Sequence, residues 1–88
     1  MSSTRTDTRD LLETYFRSIR DVDARSASEL VLGLLEDGTS PDWIATHLLA
    51  PAQRRVGELW RTGDMTVADE HAATAITETV LATLTQAA

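Results

Sequence analysis

Four times along this chain, apolar side chains return every three or four residues, and helix-starting or helix-stopping residues separate the four stretches. Leu11, Leu12, Tyr15, Phe16 and Ile19 form the first stripe, and Ala27, Leu30, Val31, Leu34 and Leu35 the second. Ile44, Leu48, Leu49, Ala52, Val56, Leu59 and Trp60 form the third. Val67, Ala68, His71, Ala72, Ala75, Ile76, Val80, Leu81 and Leu84 are expected to line the inner face of the fourth. No stretch alternates with a period of two, so no strand is expected. The reading is all-α, a four-helix bundle with short connections.

The boundaries have physical causes. Asp23 reads as an N-cap for a helix from Ala24 to Asp37, which Gly38 closes in a left-handed conformation. Ser40, Pro41 and Asp42 form an N-cap, a first-position proline and a first-turn acid, opening a helix that continues to Arg61. Pro51 lies inside that helix, where it lacks an N–H and clashes with the His47 carbonyl, so a kink or break is expected. Thr66 and Asp69 form a short version of a capping box, starting a helix that runs to about Thr85. The first helix runs from about Asp7 to Ile19 or Arg20, and no Gly or Pro separates it from the second. The two could be one bent helix. Residues 1–6 read as a flexible tail, and 7–86 as one bundle.

At 88 residues there is room for one domain, and no Cys is present to staple it or to bind zinc through thiolates. The net charge is −6. Residues 63–88 carry Asp64, Asp69, Glu70 and Glu78 with no basic residue. A chain so charged repels a phosphate backbone, so this segment is not expected to bind nucleic acid. No apolar run is long enough to span a bilayer and the N-terminus lacks a signal-peptide core, so a cytoplasmic protein is expected.

Catalysis by this chain alone is not expected, since no nucleophile set can be placed. Glu70 and His71 are adjacent, so they point about 100° apart and cannot form the Glu-x-x-His repeats of a di-metal bundle. The short loop from Thr62 to Met65 makes its flanking helices antiparallel and gathers an indole, a carboxylate and an imidazole at one end. Gly57, one turn before Trp60, suggests close approach by another backbone or a flat ligand. Burial and a helix N-terminus disfavour imidazolium at His71, while Glu70 favours it. Arg54, Arg55, Glu58 and Arg61 read as a solvated face with weak ion pairs.

The stretch from Leu48 to His71 contains Pro51, Val56-Gly57-x-x-Trp60, then Gly63 and Val67-Ala68-x-Glu70-His71. It resembles the helical cap domain of cobalamin-binding modules. The nine residues between Trp60 and Glu70-His71 look like the signature of light-responsive, adenosylcobalamin-dependent transcription regulators. The resemblance covers about residues 24–85. It implies a bundle over the upper face of a corrin ring, with a Rossmann-like partner domain below. By that resemblance, Trp60 would shield the upper axial ligand of adenosylcobalamin or methylcobalamin, and Glu70 would accept from an adenosyl ribose. His71 would stand by the same ligand and could coordinate cobalt when it leaves, and Val56 and Gly57 would shape the wall. The partner's Asp-x-His-x-x-Gly loop has no counterpart here, since neither His47 nor His71 sits in one. The 88 residues are therefore read as a truncated unit, a cap without its partner, that binds cobalamin weakly by itself. A corrinoid carrier for methyl transfer is a lesser alternative. A cofactor-free helical module that forms homodimers is another, from a different class.

Overall fold

In the computed structural model, residues 7–87 are described; the tail expected over 1–6 lies outside them. The helices are α1 (Thr8–Arg20), α2 (Ala24–Glu36), α3 (Pro41–Ile44), α4 (Ala50–Arg61) and α5 (Val67–Ala87). A π-helical turn over Ala45–Leu49 joins α3 to α4 without interruption, so the bundle has four rods. α1 packs against α2, α4, α5 and the π turn, and α5 runs along all the others. No strand occurs among the described residues.

Pro51 does not break the helix in two; the ladder is disrupted instead by the π turn just ahead of it. The proline stands in the first turn of α4, directly after the π turn, where the Ala50 N–H reaches five residues back to the Ala45 carbonyl. The wider turn shifts the hydrogen-bond ladder just ahead of the ring that would otherwise clash with it. In the middle of the same turn, His47 stacks on Trp43 at 4.8 Å, and its Nδ1 donates to the Trp43 carbonyl at 3.1 Å.

α1 and α2 are separate helices. Val22 ends α1 with φ 56°, the conformation usually given to glycine. The Val22 N–H donates to Ile19 O and the Asp23 N–H to Ser18 O, which closes a Schellman motif. The same pair of bonds closes α2 at Gly38 and α4 at Gly63. Asp23 then caps α2 by accepting from the Ser26 N–H and hydroxyl, which hold its carboxyl below the usual carboxylate range.

The core is one cluster. Tyr15, Ile19, Val31, Ile44, Leu48, Val56 and Val80 are its largest fully buried side chains. Its sole tyrosine hydroxyl meets the Thr77 hydroxyl at 2.8 Å, joining the first and last helices inside the bundle. Arg55 is not part of a simple solvated face: it pairs with Glu13 and lies over the Phe16 ring at 4.1 Å, clasping α4 to α1. Among the described residues no helix is long and apolar enough to cross a membrane.

Two stability predictions follow from these contacts. Val22 is half exposed, so replacing it loses little packing. A left-handed β-branched residue costs about 1–2 kcal/mol, and glycine's extra unfolded entropy about 0.5–1. Val22→Gly is expected to stabilise the chain by about 0.5–1 kcal/mol, measured by urea unfolding. Burial pushes the Tyr15 phenol above the ordinary range, with the Thr77 hydrogen bond acting the other way. Its contribution is present below the unfolded phenol pKa of about 10 and is lost as pH rises beyond it. Phenolate absorbance should therefore appear together with loss of helicity. Tyr15→Phe should cost about 1–2 kcal/mol and remove that alkaline transition, and Thr77→Val in the same chain should restore most of the loss.

Candidate functional site

The loop between α4 and α5 is tied at three points. Gly63, with φ 87°, carries the Schellman bonds to Trp60 O and Leu59 O through its own N–H and that of Asp64. Met65 turns into the core at 6% exposure. Thr66 and Asp69 cap α5 reciprocally: the Asp69 N–H donates to Thr66 Oγ1 at 3.0 Å and the Thr66 N–H to Asp69 Oδ2 at 3.4 Å. The last turn of α4 and the first turns of α5 thus leave the bundle end in a fixed relation.

Trp60 stands there half exposed, and Val67 with it at 55%. The Gln53 side-chain amide donates to Thr74 Oγ1 at 2.6 Å, which sets the antiparallel register of α4 and α5. In that register Gly57 stands across from Glu70, and Trp60 across from Val67. A Cβ added to Gly57 would meet nothing within 4 Å. Among the described residues no other backbone approaches it, so the space above it is open.

His71 is corrected by the structure. It is not on the inner face of α5: its side chain is 76% exposed. Val67, Ala68 and Ala75 are exposed with it, while Ala73, Ile76, Thr77, Val80 and Leu84 face the core. Successive residues advance 100° around a helix, so a core centred between Ile76 and Thr77 leaves position 71 on nearly the opposite side. The burial expected of this imidazole is absent. Val56 is wholly buried in the core, so it supports this end from beneath and presents no surface of its own.

Glu70 lies between the two faces, with its side chain 27% exposed. Its Oε2 accepts from the Thr74 hydroxyl at 3.1 Å, and its Oε1 lies 3.4 Å from His71 Nδ1. A chain of polar contacts therefore runs from Gln53 through Thr74 and Glu70 to His71. The sequence reading missed Gln53 and Thr74. Their only signal is a pair of polar residues on the flanks where two antiparallel helices meet.

Five clefts of about 170–340 Å³ are lined by other residues. Trp60, Val67 and His71 are exposed and Glu70 partly so, and none of the four lines any of these clefts. Among the described residues no group of three or more His, Asp or Glu is placed to hold a metal ion. Gly57→Ala is expected to stabilise the chain by about 0.5–1 kcal/mol, as alanine does in an unobstructed helix, a gain readable from its melting curve.

A family model described as B12 binding domain matches residues 11–85. No curated protein matches the chain.

Proposed function

The chain belongs to the B12 binding domain family, and from that premise we propose that it is the upper-face lid of a cobalamin-binding sensor or carrier. The observation that supports this most is the exposed end carrying Trp60, Val67, Glu70 and His71 beside the open space over Gly57. These residues fit a large, flat group bearing a polar upper ligand. The indole would lie against that ligand and exclude water. Glu70 retains acceptor capacity for a hydroxyl, and His71 presents an imidazole that a metal could take.

When bound, cobalamin supplies a cobalt–carbon bond, and the residues of this chain shelter its upper side. Adenosylcobalamin is the form that the carboxylate suits best, because its upper group carries ribose hydroxyls for Glu70. The bundle over 7–86 serves as one cap, and a Rossmann-like partner domain covers the opposite face of the ring. His71 would be a lone protein ligand from above, which suits a metal already held in a macrocycle. The cap itself holds and shields and performs no catalytic step. By itself the chain binds weakly, since it touches one face only.

Binding of adenosylcobalamin in the dark, followed by equilibrium dialysis and corrin absorbance, tests the reading. Trp60→Ala is expected to weaken binding by about tenfold or more, as loss of a central tryptophan contact does, with little change in melting temperature. Unchanged retention in that variant, or no binding by the parent chain, overturns the proposal.

One observation favours a second reading. Leu32 and Leu81 are each 46% exposed beside shallow clefts, Leu32 between α2 and α5 and Leu81 between α5 and the π turn with the start of α4. A cofactor-free homodimer would cover them. Sedimentation across a concentration range decides: a tight dimer without cobalamin supports it, and a monomer removes it.

A further inference from the structure

Gln53 Oε1 is buried and has no hydrogen-bond partner among the described residues. Such an atom is costly and calls for a reason. Turning the amide over would let Oε1 accept the Thr74 hydroxyl proton. Thr74 has only one proton to give, and Glu70 would then lose it. The orientation that orphans Oε1 is the one in which Gln53 Nε2–H donates to Thr74 and Thr74 donates to Glu70 Oε2. The direction of the chain ends on the carboxylate.

Resting on the cobalamin reading above, we infer that Gln53 and Thr74 are positioning residues that select the upper ligand. They hold Glu70 Oε2 from inside the α4–α5 seam, which leaves Oε1 turned to the His71 side. A carboxylate held at one oxygen loses little further freedom when the other accepts a hydroxyl. It offers nothing to an upper ligand without a donor. The pair therefore favours a hydroxyl-bearing upper group, such as a ribose, over a bare alkyl group. Thr74 lies one turn beyond Glu70 and bonds it through a single hydroxyl, so serine can replace it and valine cannot.

The test compares dark binding of adenosylcobalamin and methylcobalamin to the full 88-residue chain. Thr74→Val is expected to weaken adenosylcobalamin about five- to tenfold, the loss of one oriented charged hydrogen bond, and to leave methylcobalamin unchanged. Thr74→Ser should restore the parent value. Gln53→Leu should act in the same direction as Thr74→Val. Equal weakening of both cobalamins by Thr74→Val indicates a merely structural role and overturns the inference, as does no effect on either. Glu70→Gln separates the two levels. If it weakens adenosylcobalamin while Thr74→Val is silent, the positioning fails and the cobalamin reading stands. If Glu70→Gln is silent, both the Glu70 contact and this inference fail. Exchange of the Gln53 side-chain amide, read by NMR on the free chain, is a second measure. Slow exchange in the parent and Thr74→Ser but not in Thr74→Val supports the chain of bonds. Equal exchange in all three overturns it.

Discussion

The hydroxyl contact between Tyr15 and Thr77, buried between α1 and α5, sets the rotation of α5 about its own axis. α5 is slim and apolar on several sides, with alanine and threonine around much of its surface. Hydrophobic burial alone would tolerate more than one rotation of such a helix. A tyrosine hydroxyl that must be satisfied inside the core does not. With Thr77 turned inward, Ile76, Val80 and Leu84 follow it into the core. His71 must then face out, and Glu70 and Thr74 must lie along the seam with α4.

The other half of the end surface depends on α4. The π turn takes the chain past Pro51 without a break, so one continuous rod reaches from the Ser40 cap to Arg61. The Arg55 clasp to Glu13 and Phe16 holds that rod against α1. Val56 fills the core below, and Gly57 and Trp60 come out above it. The glycine is locally unfavourable and sterically unneeded within this chain. A half-exposed indole beside it has the same character.

Much of this was legible in the sequence because the signals are local. The caps at Asp23, Ser40 and Thr66 and the glycine closures at Gly38 and Gly63 act through bonds to backbone three to five residues away. Trp60, Glu70 and His71 could be gathered at one end because a five-residue loop leaves no other arrangement. The rotation of α5 was not legible, since Val67, Ala68, His71 and Ala75 make a second stripe as regular as the buried one. Val22 was not legible as a helix stop because valine is a poor choice for a left-handed position. Gln53 and Thr74 look like solvated polar residues until the two helices are laid side by side. The stretch matched by the B12 binding domain, residues 11–85, agrees with the bundle as folded.

The central claim is that the surface at the α4–α5 end receives cobalamin. An adenosylcobalamin titration of the isotope-labelled chain in the dark, followed residue by residue by NMR, tests it most directly. The account predicts that resonances of Gly57, Trp60, Val67, Glu70 and His71 shift together and saturably, while those around Leu32 and Leu81 stay in place. Shifts centred on Leu32 and Leu81, or none anywhere at saturating cobalamin, would contradict it.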